Sequence, residues 1–184
     1  MDNGADLYRR FREGEQEAFT EIVEQYGHHL IFFINGFVGN ITVSEDLMEE
    51  TFCHLIFRKP KFNELSSFKT YLFSIAKNKA FEYRRKAARD VYSPLENHGE
   101  REDEKQLEDI VIKSEQNKQL YSAIRKIGGE YAAVIHLLYF EDMSYKSAGK
   151  VLGKSEKQIS NLAYRAKQAL KKIMEKENFN YEDY

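Results

Sequence analysis

The feature that most constrains this chain is the spacing of its apolar residues. From Asp6 to about Arg89, and again from about Ile110, they recur at the three-and-four step of amphipathic helices. Between these blocks, Asp90 to about Glu108 carries a proline, a glycine and mixed charge without sustained periodicity. That stretch is expected to be a flexible linker that lets two lobes move independently. Only Pro60 and Pro94 break 184 residues, and 42% apolar with 32% charged content suits a helix-rich globular chain rather than a disordered one. The expected fold class is all-α, with two small helical domains over 1–89 and 110–184 joined by an acidic linker at 90–109.

Breaks near Gly39-Asn40 and from Pro60 to Ser67 divide the first block into about four helices. Ser44 is expected to cap the third, with Glu45 and Asp46 in its first turn and Pro60 ending it. The fourth is expected to start near Ser66-Ser67. It carries Phe68, Tyr71, Leu72, Ile75 and Ala76 on one face and continues to Arg84-Arg85-Lys86. Gly128-Gly129, Glu141-Asp142-Met143 and Gly153-Lys154 divide the second block into four helices, and the acidic, aromatic tail from Glu177 to Tyr184 is expected to fray.

A formal net charge of −2 argues at first against a nucleic-acid partner. The average hides a strong pattern. Residues 68–89 hold seven basic side chains against Glu82, for +6, and residues 150–172 hold seven against Glu156, again +6. Residues 90–118 hold nine acids against four bases, for −5. Two basic surfaces flank an acidic connector.

The sharpest local signal runs from Ser144 to Ile159: a short helix, a glycine-containing turn and a second helix. This is the helix-turn-helix pattern, in which small residues such as Ala148 and Gly149 let the helices approach closely. Ser155 and Gln158 have the spacing of a capping box, which leaves N-terminal amides facing a phosphate. Ile159, Ala163, Ala166 and Leu170 form an inward stripe. Lys157, Gln158, Ser160, Asn161, Tyr164, Arg165 and Lys167 are left outward, with donors suited to base edges and phosphates. The alternative is a basic helix whose polar face is merely solvated.

Catalytic and export signals are weak by comparison. Cys53 is the only cysteine, so neither an intrachain disulfide nor a cysteine metal cluster can form. His28, His29, His54, His98 and His136 lie in unrelated sequence contexts, without partners at metal spacing, and no phosphate loop or nucleophile elbow is present. The expectation is therefore a chain that is not an enzyme and has no cofactor or metal. The apolar run Leu30 to Val38 is too short to span a bilayer, so neither export nor membrane insertion is expected, and a reducing cytoplasm fits.

Leu137 to Tyr145, continued through Tyr164-Arg165-Ala166-Lys167, resembles the fourth region of extracytoplasmic-function (ECF) sigma factors. The first block is similar to the same family's second region. It opens at Ala18-Phe19, Glu45 to Phe52 resembles the polymerase-docking helix, and Phe68 to Asn78 resembles the promoter-melting helix. Glu49 stands in place of a common glutamine, Tyr71 in place of a common tryptophan, and Gly128-Gly129 where many relatives carry a proline pair. Ala148-Gly149 is smaller than the usual Ile-Ala.

The resemblance implies a sigma factor that works with RNA polymerase core enzyme on double-stranded and melted promoter DNA. An anti-sigma factor is a common further partner in that family. Glu45, Asp46, Leu47, Glu49, Glu50 and Phe52 would dock on the polymerase. Phe62, Lys77, Asn78, Phe81, Arg84 and Arg85 would meet the minus-ten element, with Phe62 and Asn78 lining a pocket for a flipped base. The outward residues of the last helix would read the minus-thirty-five element. For Phe62, Phe68, Phe73, Phe81 and Tyr83 the competing role is core packing, which is expected to hold for Phe68. Two rival readings remain: a stand-alone helix-turn-helix regulator, and a degenerate paralogue that binds core polymerase without initiating.

Overall fold

In the computed structural model, residues 3–60, 62, 65–89 and 115–177 are described. The first block folds as α1 (Asn3–Glu13), α2 (Gln16–Val38), α3 (Ile41–Arg58) and α4 (Phe68–Arg89). The second folds as α5 (Glu115–Ile127), α6 (Gly129–Ile135), a π-helical turn (His136–Phe140), α7 (Tyr145–Leu152) and α8 (Glu156–Lys176). The linker expected at 90–109 and the tail beyond Glu177 lie outside the described residues.

The breaks follow local chemistry. Asn40 rather than Ser44 caps α3: its side chain accepts a hydrogen bond from the Val43 amide at 2.9 Å. Ser44 is one turn inside the helix and buried, and its hydroxyl donates to the Asn40 carbonyl at 2.6 Å. The expectation at Ser44 failed because two capping residues lie four apart, and the one directly after the end of α2 took the role. Ser67 does open α4, its Oγ accepting from the Thr70 amide at 3.1 Å. Gly128 and Gly129 both adopt positive φ, 54° and 56°. Proline, locked near −65°, cannot occupy that turn, so the departure from a proline pair comes with a different backbone path.

α2 is the axis of the molecule. Ala18, Ile22, Tyr26, Leu30, Phe33, Ile34 and Phe37 are buried along it, at steps that keep them on neighbouring faces. It packs on α1, α3 and α4 and also meets α5, α6 and the π turn. Phe68 is fully buried, as expected, between Tyr8 (centroids 5.2 Å apart) and Tyr26 (5.9 Å). Side chains of this kind each contribute about 1.5–3 kcal/mol when fully buried. Tyr8 donates to the Pro60 carbonyl at 3.0 Å, and burial, reinforced by Tyr71, pushes its phenol up to about 12.

The two expected helical groups are both present, and they are packed against each other. Most of their buried apolar residues form one continuous cluster. Gly36 of α2 approaches α6 so closely that a Cβ there would lie 3.2 Å from that of Ala132. α7 lies on α4, and Lys150 donates across to the Leu65 carbonyl at 2.7 Å.

Candidate nucleic-acid interface

α8 is positioned by its own sequence. Ser155 and Gln158 form the full capping box: the Ser155 hydroxyl accepts from the Gln158 amide at 3.3 Å, and the Gln158 side chain accepts from the Ser155 amide at 2.8 Å. The preceding turn requires Gly149, because a Cβ there would stand 2.5 Å from the Lys154 carbonyl oxygen. Ala148 is fully buried beside it. Ile159, Ala163 and Ala166 point into the core and Leu170 packs against it.

Lys157, Gln158, Ser160, Asn161, Tyr164, Arg165 and Lys167 are all exposed. Tyr164, at 64% exposure, is a large aromatic ring offered to solvent in the middle of that face. Lys167 is partly engaged: its ammonium lies 5.6 Å from the centroid of the Tyr139 ring, and the hydrogen bond with Tyr139 raises its pKa. Tyr139, itself half-exposed, thus belongs to the same surface.

On α4, Tyr71, Ser74, Asn78, Glu82 and Arg85 recur at three- and four-residue steps and share one face. Asn78, Phe81, Arg84 and Arg85 are exposed. Phe81 is held by an edge contact with Phe37 at 5.3 Å and by Lys77, whose ammonium lies 5.4 Å from the ring centroid. Phe62 packs on Phe68 (5.9 Å) and Tyr71 (5.4 Å), at the start of α4. Asn78 follows Tyr71 by seven residues, about 10 Å along the same face at 1.5 Å per residue. Phe62 and Asn78 therefore stand at opposite ends of a strip rather than in contact.

α3 divides the six proposed docking residues. Asp46, Glu49 and Glu50 are exposed and Glu45 is half-buried. Leu47 and Phe52, both 5% exposed, turn into the core, and Phe52 meets Phe19 edge-on at 5.9 Å. They support α3 from beneath and offer no outer surface, because they fall on the opposite stripe of the helix. Glu50 is paired with Lys79 of α4 at 2.9 Å. In place of the two buried residues the outer stripe carries Cys53, which is exposed, and Phe57, which is 81% exposed. The sequence reading missed Phe57, although its place four residues after Cys53 and seven after Glu50 puts an apolar ring on the acidic face.

Glu141 gathers a second polar constellation at the junction of the lobes. His29 Nδ1 lies 2.5 Å from its Oε1, His136 Nε2 lies 3.2 Å from the same oxygen, and Lys69 Nζ lies 3.1 Å from Oε2. Burial opposes the charge on Glu141, but the contacts with His136 and His29 outweigh it and hold the carboxyl well below the usual range. These histidines looked unrelated in sequence, and folding brings them together.

The chain matches Sigma-70 region 2 over residues 22–90 and Sigma-70, region 4, over residues 117–170. The first match contains α3 and α4 and the second contains the helix-turn-helix, in that order along the chain. The chain belongs to the ECF group of sigma-70 factors. It is 29% identical to the ECF RNA polymerase sigma factor BldN of Streptomyces coelicolor, over 92% of this chain and 65% of BldN. It is 26% identical to the ECF sigma factor SigW of Bacillus subtilis, over 89% of this chain and 92% of SigW. Among solved structures it resembles CnrH in complex with the cytosolic domain of CnrY, with TM-score 0.65 and 25% identity, over 95% of this chain and 98% of that one.

In this sigma factor the packing under α4 is complete despite the absent tryptophan. Tyr71 fills that place among Phe62 and Phe68. Among the described residues, no helix is long and apolar enough to cross a membrane.

Proposed function

We propose that this sigma factor brings RNA polymerase core enzyme to specific promoters, with the outer face of α8 reading the minus-thirty-five element and α4 capturing and opening the minus-ten element. The observation that carries this reading is the pair of exposed, donor-rich helix faces, one in each matched region. Asp46, Glu49, Glu50, Cys53 and Phe57 form the docking stripe for the polymerase. The chain itself performs no catalysis; its contribution is positioning and the capture of an unpaired base. It acts in the cytoplasm, where promoters are.

Residues 1–89 and 110–184 act as separate modules in this reading, and the packed state cannot be the reading state. Elements centred about 25 base pairs apart are separated by about 85 Å of duplex at 3.4 Å per pair. A compact chain of this length is about 40 Å across. The junction between the lobes must therefore open on the polymerase. An anti-sigma factor is the further partner of this reading; CnrH, which this chain resembles, is itself held in complex with the cytosolic domain of CnrY.

The decisive experiment uses holoenzyme reconstituted with purified core. A flipped base must gain contacts worth a few kcal/mol to offset its unstacking. Asn78→Ala is expected to impair transcription and permanganate reactivity on duplex promoters, and to be rescued on templates mismatched across the minus-ten element. Equal defects on both templates would remove the base-capture role. Tight, specific promoter binding without polymerase would instead make the chain a stand-alone regulator.

A further inference from the structure

We propose that His29, His136 and Glu141 form a three-ligand site for a first-row divalent cation of the zinc type, and that this cation staples the two lobes together. His29 comes from α2, while His136 and Glu141 flank the π turn of the second lobe. Their ligand atoms all lie within 4.8 Å of one another. Two imidazoles and one carboxylate are the donor set that zinc and its neighbours accept, with a fourth position left open.

The detail within the cluster favours a cation over a simple ion pair. His136 is 6% exposed, and its Nε2, although 3.2 Å from Glu141 Oε1, is buried without an aligned hydrogen bond. A buried polar atom left in this state is costly, and a cation would satisfy it. The π turn itself creates the pair: the Glu141 amide donates to the His136 carbonyl at 3.1 Å, closing the wide turn that sets both side chains toward α2. Phe33, Phe73 and Phe140 surround the His136 ring, with centroids 6.1, 6.2 and 5.6 Å away, and fix its direction.

Lys69 does not occupy the site. Its ammonium holds Glu141 Oε2 at 3.1 Å and donates to the Glu141 carbonyl at 3.2 Å, which leaves Oε1 facing both histidines. That arrangement orients the carboxylate as outer partners of metal ligands do. Ligands at about 2.0–2.2 Å from a tetrahedral ion stand roughly 3.3 Å apart. His136 and Glu141 already have that separation. His29, whose side chain is 47% exposed, must swing off Glu141 Oε1 and toward His136 to complete the set, and its solvent side leaves room for that movement and for a water as fourth ligand.

The test needs neither polymerase nor DNA, so its failure is separate from failure of the promoter reading. The full chain, carrying Cys53→Ser to remove the thiol, is stripped with EDTA, exchanged into chelator-free buffer and titrated with Zn2+ by calorimetry. One equivalent is expected to bind. His29→Ala, at a surface position that leaves the core intact, is expected to weaken it at least as much as the roughly 10–100-fold typical of losing an outer partner. His28→Ala, at the exposed neighbouring position, is the control and should bind as the parent does.

Hydrogen exchange then reads the staple. Zn2+ is expected to slow exchange both around His29 in α2 and across His136 to Met143, and to do neither in His29→Ala. Absence of saturable binding, or equal binding by His29→Ala, overturns the site. Binding that slows exchange on one lobe only overturns the staple.

Discussion

α8 and α3 are both helices assigned to a partner, and they are built on different principles. On α8 every residue proposed to meet DNA is exposed, and the core is reached through a separate stripe of Ile159, Ala163 and Ala166. On α3 the six residues proposed to dock on the polymerase split, since Leu47 and Phe52 belong to the core. α8 packs on α5, α6 and α7, and its buried residues are Ile159, Ala163, Ala166 and Met174, so none of the residues proposed to meet DNA is drawn inward. α3 is packed by both α2 and α4, and Leu47 and Phe52 are committed to the interior, while Phe57 near its end is not.

Five substitutions test that contrast. Phe52→Ala should cost the most, about 3–5 kcal/mol of folding stability by urea denaturation, because it empties a buried aromatic position. A loss confined to polymerase affinity, with stability retained, would return Phe52 to the docking surface. Gly149→Ala should cost about 1–3 kcal/mol, since its methyl group meets the Lys154 carbonyl and either the turn or the helix crossing must move. Promoter use should fall with it.

Arg165→Ala and Asn161→Ala should each reduce use of the upstream element by about 1–3 kcal/mol in run-off transcription, while thermal stability stays within about 0.5 kcal/mol of the parent. An equal loss on promoters lacking that element would show that the reading face lies elsewhere. Ser155→Ala should have the smallest effect, about 1 kcal/mol of stability from the lost capping bond, with little change in sequence preference. Circular dichroism melts and a promoter series would show both.

The contrast also explains how much was legible beforehand. The capping box, the glycine turn and the inward stripe of α8 are local: each depends on residues within one or two turns, so their spacing in the chain is their spacing in space. The start of α3 was misread at Ser44 because Asn40 and Ser44 offer the same chemistry four residues apart. Only the end of α2 at Gly39 decides between them. Phe57 escaped notice because an apolar residue at helical spacing reads as core until the neighbouring helices are known. Its 81% exposure follows from the absence of any described element over that part of α3.

The sequence by itself determined that this chain is helical, that its helices fall in two groups, and that two basic faces and a helix-turn-helix are present. Helical period, capping and turn chemistry are short-range, and so is a run of charge. Only the tertiary structure decided which apolar residues of α3 are core, that Gly36 and Ala132 seat one lobe on the other, and that His29 meets Glu141 across 112 residues of chain. Such contacts arise when two buried surfaces choose each other. That choice depends on the summed shape and burial of many side chains, which no local spacing records.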